Sequence, residues 1–144
     1  MLLSRERLGT AARECGFCVA GVARAAAVDS GVADEYRCWI ARGGHADMGY
    51  LASNMEKRLD PRLLMDNTRS IIAVAMNYAP QRRLPDEEFQ IASYALGSDY
   101  HDVLRQRLFR LTGSLVGSDV DGQPAFKACV DTVPVLERYW AWKA

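Results

Sequence analysis

Four short stretches of this 144-residue chain hold residue types that can do chemistry. In VDTVPVLER (130–138), Asp131 stands three residues before a proline. A carboxylate there can cap the helix that the proline opens. In an apolar site, or beside a cofactor, it can instead hold a proton and donate it. YALGSDYHD (94–102) gathers Tyr94, Tyr100 and His101 at a strand-to-helix junction, a place where α/β proteins put ligands. His101 can act as a base or ligand, or can simply belong to the first turn of its helix. In EKRLDPRLL (56–64), Lys57, Arg58 and Arg62 surround a proline turn. They suit phosphate or carboxylate groups, and equally a solvated charged turn. In GGHADMGYL (43–51), glycines permit close backbone approach to a flat cofactor or phosphate. Ordinary turn chemistry would build the same loop.

The cysteines are Cys15, Cys18, Cys38 and Cys129. Cys15 and Cys18 form a CxxC, a spacing used by redox and metal sites. No second CxxC follows, and a lone pair of thiols cannot complete a tetrahedral metal site. Both are therefore expected as small buried residues at a helix end and a strand start. No metal ligands are assigned.

The elements that must hold these residues follow from periodicity and turn signals. A helix is expected over 4–15, with Ser4 as N-cap, a stripe of Leu8, Ala12 and Cys15, and Gly16 as the stop. A buried strand is expected at 18–23. A second helix is expected over 33–42, with Tyr36, Trp39 and Ile40 on one face and Gly43–Gly44 ending it. Short helical turns fill 45–69, a stretch long enough to carry function. The run SIIAVAMNY (70–78) reads as a strand covered on both faces. Residues 80–88 read as a loop and 89–95 as another strand. Asp99 caps a helix over 100–116, whose buried stripe is Leu104, Leu108, Leu111 and Leu115. Arg105, Arg107 and Arg110 lie on its solvated face. Gly117 and SDVDG close it, a last strand spans 124–132, and Pro134 opens a final helix. This order predicts one α/β domain, a mixed sheet with helices packed on it.

Composition narrows the function classes. Hydrophobic residues make up 49% of the chain and charged residues 25%, which excludes a disordered chain. Eighteen basic residues balance eighteen acidic ones, which excludes a uniformly basic nucleic-acid binder but not a local basic patch. No transmembrane run and no signal-peptide core is visible, so a cytoplasmic protein without membrane partners is expected. Tyr139, Trp140 and Trp142 crowd an uncapped last helix. Such a helix is expected to expose apolar surface, to self-associate, and to be followed by more chain or a partner.

Taken together, the motifs resemble the N-terminal half of the epoxyqueuosine reductases. The stretches that carry the resemblance are GVARA (21–25), GGHADMGYL (43–51), EKRLDPRLLMDNTRSIIAVAMNY (56–78), IASYALGSDYHDVLRQRL (91–108) and VDTVPVLERYWAWKA (130–144). They cover nearly the whole chain, in order. The resemblance implies that residues 1–144 form a cobalamin-binding domain. In this family a reduced corrinoid removes the epoxide oxygen of epoxyqueuosine at the tRNA wobble position, and two [4Fe-4S] clusters deliver electrons. By the same resemblance Asp131 is the catalytic proton donor and also a cofactor-site residue, while Arg58 and Ala92 contact the cobalamin. Burial beneath the corrin and against Val130 and Val133 would keep the Asp131 carboxyl protonated.

The chain also departs from the family. The clusters take eight cysteines in ferredoxin-like spacing, and this sequence does not supply them. The family continues past ERYWAWKA into a ferredoxin-like domain, so this chain is expected to be a fragment, inactive alone. Ser93 and Ser98 stand where many relatives carry basic residues. Two other functions remain open: a non-catalytic corrinoid-binding or interaction module, and a corrinoid reductase of another substrate.

Overall fold

Ser4 starts the first helix as its residue type predicts: its hydroxyl accepts the Arg7 N–H at 3.2 Å. The computed structural model describes residues 4–79, 84–85, 87–116, 119–120, 123–124 and 126–144. The fold is mixed α/β. Its elements are α1 (Arg5–Glu14), β1 (Val19–Arg24), α2 (Ser30–Ala41), α3 (Met55–Leu59), β2 (Ser70–Ala75), α4 (Tyr100–Val116), β3 (Asp119–Val120), β4 (Gln123–Pro124) and α5 (Glu137–Lys143). Short 3-10 turns occupy Gly49–Leu51, Pro61–Leu63 and Ser93–Ala95. The strands pair as two two-stranded sheets, β1 with β2 and β3 with β4. The β3–β4 pair is antiparallel, with Asp119 opposite Pro124. Among the described residues no helix is long and apolar enough to cross a membrane.

The chain forms two compact units, Met1–Gly21 with Val74–Val130, and Val22–Ala73 with Asp131–Ala144. In the first unit α1 packs on α4. The α1 stripe buries Leu8, Ala12 and Cys15, and α4 buries Leu111 and Leu115, with Leu104 and Leu108 half-buried. Gly16 stops α1 at φ +83°, a conformation that glycine adopts without steric cost. The Cys18 N–H donates to the Ala75 carbonyl at 2.9 Å. In the second unit the Ala25 N–H donates to the Arg69 carbonyl at 3.0 Å; with Cys18 bonded to Ala75, numbering rises along β1 as it falls along β2, so the strands run antiparallel. The core of this unit is Ala23, Val28 and Trp140, with Val32, Ile71, Val135, Leu136 and Tyr139 packed around it.

Several expectations need correction. Residues 89–95 form no strand: Phe89 is 87% exposed, Ile91 is also exposed, and the Ala92 carbonyl turns back to accept the Ala95 N–H. Among the described residues no strand pairs with this segment, so the apolar alternation joins no ladder there. Residues 126–132 are likewise not a strand, since Asp131 lies at φ +51° and breaks any extended run. Pro134 does not open the last helix. The Val135 N–H folds back on the Val133 carbonyl at 2.8 Å, and α5 begins at Glu137.

Smaller differences follow similar logic. β2 ends at Ala75, before the Met76–Tyr78 part of the expected strand, and its residues 71–74 are half-buried. α2 starts at Ser30, earlier than expected, despite a glycine in its first turn. Cys18 is exposed, with its thiol donating to the Ala75 carbonyl at 3.1 Å. Arg107 does not point into water: it is half-buried and donates to the Gly16 carbonyl at 2.9 Å. Trp140 is only 3% exposed, so the outward aromatic surface of α5 reduces to Trp142, which is 74% exposed. The closing signals at Gly117, Ser118, Asp121 and Gly122, and residues 80–83 and 86 of the expected loop, lie outside the described residues.

Candidate functional site

Arg58 sits near the C-terminal end of α3 and is 8% exposed. Burying a guanidinium costs free energy unless its donors are satisfied. One Nη2–H donates to the Tyr50 carbonyl at 3.1 Å. The buried Nε has no hydrogen-bond partner among the described residues. None of the described carboxylates pairs with this cation. The Gly49–Leu51 turn that supplies the Tyr50 carbonyl is itself tied to α2, because the Tyr36 hydroxyl donates to the Leu51 carbonyl at 2.7 Å. Burial pushes the Tyr36 phenol above its ordinary pKa, and the charge on Arg58 opposes this. Arg58 is therefore a rigidly held cation with a spare donor, suited to a carbonyl or anionic oxygen.

The glycine-rich turn before it is built by packing. The Trp39 indole lies against Gly44, where a Cβ would collide with the ring. His45 meets the same indole edge-on, with ring centroids 6.3 Å apart. Its Nδ1 is buried without a hydrogen-bond partner among the described residues. Asp60 and Arg62 form a bidentate pair, at 2.6 and 2.9 Å. The Arg62 hydrogen bond holds the Asp60 carboxyl below its ordinary pKa.

Asp131 is exposed, so the expected burial against Val130 and Val133 is not observed; Val130 is buried and Val133 half-buried. The Asp131 N–H donates to Oε1 of Glu137 at 3.0 Å. Glu137 as a residue is exposed, yet partial loss of water around its carboxyl pushes its pKa up. The Asp131 N–H opposes that shift, and the Asp131 carboxyl adds to it. α5, which carries Glu137, is anchored by buried Trp140 and by Lys143, whose Nζ lies 2.7 Å from the Asp29 carboxylate. The Asp29 N–H also donates to the Tyr139 hydroxyl at 3.1 Å. Sequence reasoning missed Glu137, Tyr36 and Asp29. Only Glu137 left a signal, an acidic residue just beyond Pro134.

In the other unit Ala92 is exposed and immediately precedes the 3-10 turn of Ser93–Ala95, with φ −60° and ψ 136°. Next to it Met76, Tyr78, Ser93, Tyr94, Tyr100 and Val103 help line a cleft of about 160 Å³. That is about half the low end of pockets that enclose a drug-sized ligand, so the cleft accepts only part of a larger group. Tyr94 and Tyr100 meet edge-to-face at 5.7 Å. His101 stacks on Tyr100 at 4.1 Å, and its Nδ1 lies 2.8 Å from Asp99. Asp99 caps α4 through the His101 N–H at 2.9 Å, which with the ring contact holds its carboxyl below the usual range. His101 thus serves the cap. Cys15, Cys18 and Cys38 are free thiols, and among the described residues no three of the His, Cys, Asp and Glu side chains converge on a metal position.

Comparison with known proteins places this geometry in a family. Residues 58–132, just over half the chain, match the family model described as epoxyqueuosine reductase QueG, DUF1730. The chain is 34% identical over 129 residues to the epoxyqueuosine reductase of Cellulophaga algicola, covering 90% of this chain and 41% of that protein. It is 34% identical over 139 residues to the enzyme of that name from Pseudomonas aeruginosa, covering 92% of this chain and 37% of that one. The chain therefore spans about two fifths of the length of these curated relatives. A crystal structure of selenomethionine-labelled epoxyqueuosine reductase superposes with a TM-score of 0.74 at 29% identity, over 95% of this chain and 37% of that one. A crystal structure of epoxyqueuosine reductase with an epoxyqueuosine-modified tRNA-Tyr stem loop matches with a TM-score of 0.70 at 27% identity, covering 95% of this chain and 36% of that one. With Arg58, Ala92 and Asp131 all inside the matched segment, the chain belongs to the epoxyqueuosine reductase QueG, DUF1730 family.

Proposed function

We propose that this chain is the cobalamin-binding N-terminal domain of an epoxyqueuosine reductase. The whole protein reduces epoxyqueuosine to queuosine in tRNA, in the cytoplasm. The observation that carries this reading is Arg58: it is buried, unpaired with any described carboxylate, and left with a spare buried donor at the first residue of the matched segment. That donor fits a propionamide carbonyl of the corrinoid. Ala92, small and exposed, fits as a position where the flat ring can approach. When bound, the reduced corrinoid supplies the electrons that remove the epoxide oxygen.

The residues of this chain supply the rest. Opening an epoxide leaves an alkoxide oxygen; a first proton makes it a hydroxyl, and a second, from solvent, lets it leave as water. Asp131 donates the first of these protons, a contribution typically of about 10²–10⁴-fold in rate. An iron–sulfur cluster does not fit this chain, because a [4Fe-4S] centre takes four cysteine thiolates and no three of these cysteines come together. Under this reading the two clusters belong to a ferredoxin-like domain outside residues 1–144. Trp142, exposed on α5, is where the domain meets that partner or a second copy.

The test is Asp131→Asn in the whole reductase, loaded with cobalamin and both clusters. Asparagine also tolerates the left-handed conformation but cannot donate the acidic proton. Stability should be nearly unchanged and turnover at least about a hundredfold lower. Near-wild-type turnover would remove Asp131 from the acid role.

A further inference from the structure

Asp131 is one of four non-glycine residues at positive φ in the described chain, and the one on which the proposed chemistry falls. A left-handed residue with a side chain is strained, and it persists only where its surroundings hold it. No helix or strand ladder reaches residues 131–136. The Asp131 N–H instead finds Oε1 of Glu137 at 3.0 Å, six residues ahead. Glu137 itself is held in place. Trp140, three residues further along α5, is buried against Ala23 and Val28. Lys143, one turn beyond, is paired with Asp29, and Tyr139 accepts the Asp29 N–H. One end of this chain of contacts is the core of the unit and the other is the Asp131 backbone.

We propose that Glu137 is a positioning residue for the reaction. Its carboxylate oxygen, carried on the anchored α5, locks Asp131 in the left-handed conformation that sets where the acid's carboxyl lies. This deepens the reductase reading and rests on it. A carboxyl that must protonate one oxygen needs a fixed donor position, and misplacement by an ångström is enough to slow such a step markedly. A loop that reverses direction at Pro134 would not fix it alone. The pKa of Glu137 is raised chiefly by lost hydration, and the nearby Asp131 carboxyl adds to that rise.

The test uses Glu137→Ala and Glu137→Gln, read in two ways. In this chain, hydrogen exchange of the Asp131 amide is followed by NMR, with near-ultraviolet circular dichroism as the check on folding. Alanine should speed exchange about tenfold. Glutamine keeps a carbonyl acceptor at the same reach and should restore protection. In the whole reductase with cofactors loaded, alanine should lower kcat about ten- to a hundredfold with KM for the tRNA stem loop unchanged. Glutamine should recover most of kcat. Unchanged amide exchange in Glu137→Ala overturns the proposal. So does a Glu137→Gln enzyme that keeps the amide protected yet turns over like alanine, because the side chain would then act through its proton. Asp131→Asn separates the two readings. Near-wild-type turnover in that variant fails the acid assignment, while the amide measurement alone still decides whether Glu137 holds residue 131.

Discussion

Arg58 donates to the carbonyl of Tyr50 at 3.1 Å, so a buried cation and a turn eight residues upstream fix one another. The guanidinium reaches that carbonyl with one nitrogen and keeps its buried Nε spare. A lysine bears its three donors on one terminal nitrogen and lacks the fork that places one donor at the Tyr50 carbonyl and another at the Nε position. Arg58→Lys in the whole reductase should therefore keep the fold and lose cobalamin on gel filtration, read as corrinoid absorbance per protein. Equal retention would remove Arg58 from the cofactor site. Leu59→Ala, at the next and equally buried position, should cost about 2–5 kcal/mol in urea unfolding, a loss of packing that Arg58→Lys does not share.

Ala92 gives the opposite kind of test. It is exposed and its φ of −60° is open to any L-residue, so Ala92→Trp should change stability by less than about 0.5 kcal/mol. If the corrin face lies over it, the indole should block cobalamin uptake in the whole enzyme. Normal corrinoid content after purification would take Ala92 out of the site.

Where the sequence reading succeeded, local signals and packing agreed. Ser4, the Leu8–Ala12–Cys15 stripe and Gly16 define α1 because cap, period and stop all point the same way. Asp99 and the leucines of α4 do the same. Where it failed, a long-range partner decided. Phe89 and Ile91 alternate like a strand, yet pairing needs a second strand, which no local pattern reveals. Arg107 looked solvated until Gly16 offered its carbonyl from 91 residues away. The candidate site divides along the same line. Arg58 and Asp131 were visible as residue types in turns, and the family resemblance gave them roles. Their contacts with Tyr50 and Glu137 were not legible, because each is set by how a turn folds back.

Gly16 carries a prediction of its own. Its φ of +83° penalises any side chain, and a Cβ there would run into the Arg107 guanidinium. Gly16→Ala should lose about 1–2 kcal/mol from backbone strain, with a further loss from displacing Arg107. Arg107→Ala removes the obstacle. The double variant should therefore be more stable than the sum of the two single losses, measured by urea unfolding. Strict additivity would mean that Arg107 does not occupy that space.

The docking of α5 should depend on pH at both extremes. The hydrogen bond with Lys143, and then that with Tyr139, holds the Asp29 carboxyl below its ordinary value. A depressed carboxylate contributes stability above the unfolded pKa of about 4, and that contribution is lost as pH falls through the lower folded value. Lys143 is shifted up, chiefly by its hydrogen bond with Asp29. Its contribution is complete below the unfolded pKa of about 10.4 and is lost as pH rises through the higher folded value. Both groups are exposed, so each effect is small and screened by salt. Trp140, packed on Val28 one residue from Asp29, reports the contact. Its fluorescence should hold steady between about pH 5 and 10 and change outside that window. Asp29→Asn should flatten the acid limb while leaving Trp140 buried at neutral pH. An acid limb that survives Asp29→Asn unaltered would assign the transition to some other carboxyl.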